Sequence, residues 1–142
     1  MSHIEINIED QVCIIKLNRP KVFNSFNKEM AFELQEILDN CEKNLAVRSI
    51  LLTGEGKAFC AGQDLQELTA PDGPKLSDIV REHYNPIIKR IRSIEKPIVC
   101  AVNGVAAGAG ANIALACDIT IAGESVAFIQ AFSKIGLIPD SG

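Results

Sequence analysis

Alternating apolar and polar residues at the start of the chain predict a β-hairpin. Isoleucines alternate with polar residues over Ile4–Ile8, and a second apolar run covers Val12–Leu17. Period-two alternation is typical of half-buried strands, and the polar turn Glu9–Gln11 between the two runs favours an antiparallel pair. Asn18-Arg19-Pro20 then ends the second strand.

Helical spacing follows the hairpin. The apolar residues after Asn27 recur three or four positions apart: Met30, Ala31, Leu34, Ile37, Leu38, Cys41 and Leu45. Asn27 is a typical N-cap, and the acidic residues lie off the apolar stripe, so an amphipathic helix with an acidic outer face is predicted. A second long helix is predicted from about Ser77 to Ile94, with an irregular turn at Pro86 because proline lacks the N–H that a helix needs.

Two apolar runs predict buried strands at Val47–Thr53 and Ile98–Val102, and a further strand is predicted at Asp118–Ala122. Strands that alternate with helices indicate a mainly parallel sheet covered by helices, in the α/β class. The last residues, Ile138–Gly142, form a turn sequence. We therefore expect residues 1–142 to be the N-terminal core of one domain whose second half is absent.

Composition narrows the function classes. The chain has 14 Lys and Arg against 18 Asp and Glu, a net charge of −4, which gives no reason to expect nucleic acid or an anionic membrane as a partner. Its five cysteines form no C-x-x-C pair, so neither a metal site nor a disulfide framework is expected. No signal peptide is recognisable, and we expect a cytoplasmic protein.

The uncharged stretch Pro97–Cys117 is long enough to resemble a membrane span. It contains two asparagines and three glycines. We therefore interpret it as a buried strand, a glycine turn and a buried helix.

Two glycine turns are candidates for chemistry. Ala107–Asn112 leads into an uncharged helix, and the first N–H groups of a helix point at any negative oxygen placed there. Gly62-Gln63-Asp64 is a second turn of this kind, and two such donors that converge on one carbonyl would form an oxyanion hole. Small residues that merely let the helix pack closely are the alternative. A dinucleotide fingerprint is disfavoured, because Ile113 occupies the position of its last glycine.

Motifs along the whole chain resemble the crotonase superfamily of enoyl-CoA hydratases and isomerases. They comprise Leu17-Asn18-Arg19-Pro20, Ala58-Phe59-Cys60-Ala61-Gly62-Gln63-Asp64-Leu65, Lys96-Pro97, Ala101–Gly110, Cys117-Asp118-Ile119 and Gly136-Leu137-Ile138-Pro139-Asp140. The resemblance implies an α/β fold, the crotonase-like spiral of β-β-α units (ClpP/crotonase fold), truncated here before the C-terminal helices. It also implies a homotrimer or hexamer for the full-length protein.

The resemblance further implies an acyl-CoA thioester substrate, so that CoA is part of the substrate and no separate cofactor is expected. Carried over by position, the oxyanion-hole donors are the N–H groups of Gln63 and Ala109. The positions implied to contact the CoA thioester are Lys21, Ala61, Asp64, Leu65 and Gly108. Lys21 is equally well explained as a solvated surface residue, and Asp64 is better explained as a helix cap.

Departures from the hydratase pattern disfavour simple hydration. Hydratases of this superfamily use two glutamates to handle water, and Asn112 and Phe132 occupy the matching positions here. An amide is no general base at neutral pH, and a phenyl ring offers water no hydrogen bond. Asp140 remains as the acid/base, although it could also be an N-cap after a proline turn. We expect Phe132 and Ile138 to shield it from water.

An acyl-CoA isomerase is the function that this pattern favours. Asn112, Gln130–Lys134 and the final Ile-Pro-Asp-Ser are similar to the branch of the superfamily that rearranges a ring epoxide in phenylacetate degradation. Asp140 would move a proton between two carbons of an enolate, and Asn112 would bind an epoxide oxygen or only fill the vacated polar position. A hydratase or another lyase of the superfamily, and a non-catalytic acyl-CoA-binding or assembly subunit, stay open.

Overall fold

The computed structural model describes residues 2–142, which form two stacks of strands with helices against them. The strands are Ile4–Glu9 (β1), Val12–Leu17 (β2), Ser49–Gly54 (β3), Ala58–Cys60 (β4), Ile98–Val102 (β5), Val105–Ala107 (β6), Ile119–Ala122 (β7) and Phe128–Ile129 (β8). The α-helices are Lys28–Lys43 (α1), Leu65–Thr69 (α2), Leu76–Asp78 (α3), Asn85–Ser93 (α4) and Ala109–Ala116 (α5). Two 3-10 turns lie at Pro20–Val22 and Phe132–Ile135.

The strands form two sheets that the chain enters alternately. One sheet has the order β1-β2-β3-β5-β7, and the other has the order β4-β6-β8. All pairs are parallel except β1 with β2. After the β1-β2 hairpin, each unit adds one strand to the first sheet and one to the second before the next helical segment, which confirms the predicted β-β-α spiral. The strands of the second sheet were not predicted, because they are only three or two residues long.

The N-terminal hairpin is confirmed. β1 and β2 pair in the register Ile4↔Leu17 to Glu9↔Val12. Asp10 and Gln11 both adopt positive φ, at 47° and 65°, as a two-residue hairpin turn requires. Ile6 and Ile8 are nevertheless about half exposed on the open face of β1.

Helix α1 begins as predicted and ends earlier. The Asn27 side chain accepts a hydrogen bond of 3.0 Å from the N–H of Met30, which makes Asn27 the N-cap. The predicted stripe from Met30 to Cys41 is buried, but Leu45 lies beyond the last residue of the helix and is 95% exposed. The prediction for Leu45 is therefore wrong, because the helix stops at Lys43 before its spacing can reach the core.

The second long helix contains a π-helical segment, Ile79–Tyr84, immediately before α4. Pro86 has no N–H to donate to the carbonyl of Glu82, four residues earlier. The side chain of Gln35 on α1 supplies the missing donor, since its Nε2 lies 2.8 Å from the Glu82 carbonyl oxygen and 3.3 Å from that of His83. The irregular turn predicted at Pro86 is thus a π-segment stabilised by a buried glutamine.

The core lies between the helices and the first sheet. The largest fully buried side chains include Phe26, Ile15, Leu34, Ile50 and Ile87. Within residues 2–142, no helix is long and apolar enough to cross a membrane. The same residues hold no group of three or more His, Cys, Asp or Glu side chains arranged to bind a metal ion.

Candidate active site

A cavity of about 460 Å³ opens where the two predicted glycine turns meet. Its lining combines one apolar wall from Leu68, Leu76, Ile79 and Leu137 with few polar groups. The residues singled out by the sequence that line it are Ala61, Gln63, Leu65, Gly108, Ala109, Phe132 and Asp140. The structure therefore brings most of the predicted site residues to one place.

The first turn follows β4 and is held by Phe26. Gly62 adopts φ +92°, a conformation that favours glycine. The N–H of Phe26 donates to the Gly62 carbonyl at 2.7 Å, and the N–H of Asp64 donates to the Phe26 carbonyl at 2.8 Å. These two hydrogen bonds fix the backbone on both sides of Gln63.

The second turn joins β6 to α5. Gly108 adopts φ +51°, and its N–H donates to the Ile129 carbonyl at 2.9 Å, so the turn is tied to the end of β8. Ala109 is then the first residue of α5, where a helix leaves its N–H groups without partners.

The two turns are in direct contact. A Cβ atom built on Gly62 would lie 2.9 Å from the Ala107 carbonyl oxygen and 3.5 Å from the nitrogen of Ala109. Within residues 2–142, neither the N–H of Gln63 nor that of Ala109 donates a hydrogen bond to a protein acceptor. Two free backbone donors therefore lie at neighbouring turns of one cavity.

Close packing explains a different glycine of the second turn. A Cβ on Gly110 would lie 2.5 Å from the Cys60 carbonyl oxygen and 2.7 Å from its Sγ, so this glycine lets α5 approach β4. At Gly108 only the tip of the Phe132 ring is near, at 3.8 Å. Close packing therefore explains Gly110 but not Gly108, for which the oxyanion-hole interpretation stays a prediction.

Asp140 supplies a carboxylate at the cavity. Its side chain is half-buried, and its Oδ1 accepts a hydrogen bond of 2.9 Å from the Ser141 hydroxyl. Asp140 lies in an irregular segment that follows the second 3-10 turn. Phe132 is buried and lines the same cavity, but Ile138 is 78% exposed. The expectation that Ile138 shields Asp140 is wrong for this chain, because so exposed a side chain keeps little water from its neighbours.

Asn112 lies deeper, beneath the cavity wall. It is on α5, buried, and not among the lining residues. Its Oδ1 accepts a hydrogen bond of 2.8 Å from Gln130, and its Nδ2 has no partner within residues 2–142. A contact between Asn112 and a ligand stays a prediction.

Asp64 and Lys21 lie outside the cavity lining. The Asp64 carboxylate accepts a hydrogen bond of 3.0 Å from the N–H of Gln66 at the start of α2, and it pairs with Arg19 at 2.9 Å. Asp64 is thus a helix cap, the explanation preferred from the sequence. Lys21 is exposed on the first 3-10 turn. A contact of either residue with CoA remains a prediction.

Tyr84 is a residue of this cavity that the sequence did not reveal. It is the only tyrosine of the chain, and its hydroxyl donates a hydrogen bond of 2.7 Å to Oε1 of Gln63. Burial raises the pKa of Tyr84 well above its usual range, so the side chain stays protonated at neutral pH. No spacing motif signals this contact, because the two residues are 21 positions apart.

The neighbouring thiol of Cys60 is not a nucleophile. Burial raises the pKa of Cys60 to about 12, and only the thiolate is reactive. The cavity therefore combines two backbone donors, the Asp140 carboxylate and an apolar wall, and its lining also includes Ser25, Tyr84 and Lys134. This arrangement can polarise a carbonyl and move a proton beside it.

Comparisons with known proteins show the family to which the chain is similar. The family model described as enoyl-CoA hydratase/isomerase matches residues 7–142. The 1,2-epoxyphenylacetyl-CoA isomerase of Escherichia coli (strain K12) is 50% identical across 100% of this chain and 55% of its own length. The trans-2-decenoyl-[acyl-carrier-protein] isomerase of Streptococcus mutans is 39% identical over 96% of the chain and 53% of its own length.

Solved structures show the same fold. The crystal structure of an enoyl-CoA hydratase from Polaromonas sp. JS666 matches with a TM-score of 0.87 and 37% identity, over 98% of this chain and 55% of that one. The chain spans about half the length of the curated relatives it matches. The names of these proteins include both isomerases and hydratases.

Proposed function

Because the chain belongs to the enoyl-CoA hydratase/isomerase family, we propose that the full-length gene product is an acyl-CoA isomerase with Asp140 as its acid/base. The observation that carries the proposal is the juxtaposition at one apolar cavity of two unpartnered backbone N–H groups and one carboxylate. The similarity to the Escherichia coli isomerase supports the choice of reaction.

The two N–H groups, from Gln63 and Ala109, would polarise the thioester carbonyl of a bound substrate. Negative charge that develops on this oxygen is stabilised by about 3 kcal/mol for each well-placed donor. The hydrogens on the carbon next to the carbonyl become more acidic as a result.

Asp140 would then transfer a proton between two carbons. In a 3-enoyl thioester its carboxylate takes a proton from C2, which gives a dienolate whose charge rests on the oxygen in the hole. The same carboxyl group returns the proton to C4, and the double bond ends between C2 and C3. Atoms and charge balance with no added water.

The wall of the cavity favours this outcome over hydration. Phe132 is buried beside Gly108 at the site and offers no hydrogen bond to an attacking water molecule. Asn112, which also lacks the basicity to activate water, lies outside the lining. A ring-epoxide thioester of the kind named for the Escherichia coli relative is the substrate class we propose first. A cytoplasmic homotrimer or hexamer is the assembly we propose.

Substitution of Asp140 tests the proposal. We expect Asp140→Asn in the full-length gene product to abolish formation of the conjugated 2-enoyl thioester from a 3-enoyl-CoA, measured by absorbance, while thioester binding is retained. Asp72→Asn makes the same chemical change on an exposed loop and is the matched control. Undiminished turnover by Asp140→Asn would remove Asp140 from the mechanism.

A further inference from the structure

We infer that Tyr84 is a positioning residue, which acts through the side chain of Gln63 to hold the N–H of Gln63 toward the substrate carbonyl. The inference rests on the proposed function, since it assigns the Gln63 N–H to the oxyanion hole. Its evidence is a part-buried hydrogen-bonded chain that joins Tyr84, Gln63 and Glu67.

The orientation of the Gln63 amide is determined by its two partners. Its Nε2 donates to Oε2 of Glu67 at 2.9 Å, and only the nitrogen of an amide can donate to a carboxylate. Oε1 therefore faces Tyr84, whose hydroxyl donates to it at 2.7 Å. Within residues 2–142, Gln63 is the only hydrogen-bond partner of the Tyr84 hydroxyl.

Both ends of this chain are anchored to rigid elements. Oε1 of Glu67 accepts a hydrogen bond of 2.9 Å from the backbone N–H of Lys28, the first residue of α1. The ring of Tyr84 meets that of Phe26 edge to face, with centroids 6.2 Å apart. Phe26 is the residue whose backbone brackets Gln63, so the side chain and the main chain of Gln63 are held from the same side.

The π-segment places Tyr84 in the cavity. Tyr84 is the last residue of Ile79–Tyr84, and an extra residue in a helical turn rotates every later side chain relative to the earlier ones. Gln35 stabilises this register through the carbonyls of Glu82 and His83. A regular helix would leave the hydroxyl on a different face, and π-segments occur frequently at functional sites.

A double-mutant cycle tests the inference. We would compare Tyr84→Phe, Gln63→Met and the double variant of the full-length gene product. The first readout is the carbonyl stretching frequency of bound hexanoyl-CoA labelled with 13C at C1, a saturated thioester with no double bond to shift. The second is kcat and KM for a 3-enoyl-CoA.

We expect Tyr84→Phe to reduce the shift of the carbonyl frequency and to lower kcat by about tenfold, with KM little changed, because misplaced donors stabilise the transition state less than well-placed ones. Gln63→Met should have a similar effect. The double variant should lose no more carbonyl shift and kcat than the more impaired of the two single variants, since both substitutions interrupt the same chain of contacts.

Thr53→Val is the matched control. It removes a hydroxyl that donates at 2.8 Å to the Ala101 carbonyl between β3 and β5, outside the cavity lining. It should leave the carbonyl frequency and kcat unchanged. A melting temperature measured for each variant separates loss of positioning from loss of folding.

Two results would overturn the inference. The first is a Tyr84→Phe variant that shifts the carbonyl frequency as much as the wild-type protein does. The other is additive losses in the double variant. A wild-type protein that polarises bound hexanoyl-CoA through Tyr84 and yet isomerises neither a 3-enoyl-CoA nor a ring-epoxide CoA thioester would instead contradict the proposed function and leave the positioning role in place.

Discussion

Single residues determine whether the two turns can meet. Gly62 combines φ +92° with a backbone oxygen 2.9 Å from where its Cβ would be, so both its conformation and its surroundings exclude a side chain. Gly136 also has positive φ, +74°, but nothing lies within 4 Å of its Cβ position. A comparison of Gly62 with Gly136 therefore separates the conformational cost of adding a side chain from the steric cost.

We expect Gly136→Ala to reduce the free energy of unfolding by about 1 kcal/mol, the usual cost of a left-handed alanine. Gly62→Ala should cost distinctly more and should also abolish isomerisation, because the Ala107 carbonyl must move and Ala109 moves with it. Urea unfolding and turnover of a 3-enoyl-CoA measure the two effects. Equal losses of stability and full activity in both variants would contradict this account of Gly62.

At the scale of single residues, the sequence identified the site residues that lie in motifs and missed Tyr84, which lies in none. Gln63, Ala109 and Asp140 were identified through the family resemblance, and all three line the cavity. Tyr84 was missed, because a hydrogen bond between residues of two separate elements leaves no trace in local spacing. Asn112 was identified by position, but its burial beneath the wall depends on how α5 packs.

Among the secondary-structure elements, the irregular helix before α4 is the one that brings Tyr84 to the other site residues. The π-segment Ile79–Tyr84 depends on two features, the missing N–H of Pro86 and the donor that Gln35 provides in its place. Proline was visible in the sequence, and an irregularity was predicted there. The donor was not visible, because Gln35 lies on α1 and faces Glu82 only in the folded chain.

Removal of the Gln35 amide tests this dependence. Gln35→Met would remove the side-chain donor from the part-buried carbonyl of Glu82 and the buried carbonyl of His83, at a cost of about 1–3 kcal/mol in the free energy of unfolding. Gln66→Met changes an exposed glutamine on α2 and should cost almost nothing. Equal stability of the two variants in urea would show that the π-segment does not need Gln35.

The whole molecule contains two sheets, and the sequence predicted the strands of only one of them. Apolar runs and alternation predicted all five strands of the first sheet, because each is four to six residues long and flanked by clear turns. The second sheet consists of strands too short to show alternation, and only the family resemblance implied it. That sheet carries both turns of the site.

Stability of the whole chain should depend on pH through His83. Burial lowers the pKa of His83 from 6.5, and the charges around it are those of Glu67, Glu82, Glu29 and Lys28. Below about pH 6.5 the unfolded chain binds a proton that the folded chain resists, so the free energy of unfolding falls as pH decreases.

We expect the free energy of unfolding of the wild-type protein to fall measurably between pH 7 and pH 5, as determined by urea unfolding at each pH. His83→Phe keeps an aromatic ring opposite Phe32 and should flatten the curve in this range. Carboxylates with lowered pKa values, such as those of Asp39 and Glu55, contribute only at more acidic pH. Parallel curves for the two proteins would exclude His83 as the cause.

The central claim, that the cavity isomerises a CoA thioester, is tested most directly by the mass of the product. The full-length gene product would be incubated with a 3-enoyl-CoA, the products would be separated by chromatography, and their masses would be determined by mass spectrometry. We predict a conjugated 2-enoyl thioester of unchanged mass as the first product. A thioester heavier by one water molecule, formed with no free isomer, would contradict the claim and identify a hydratase.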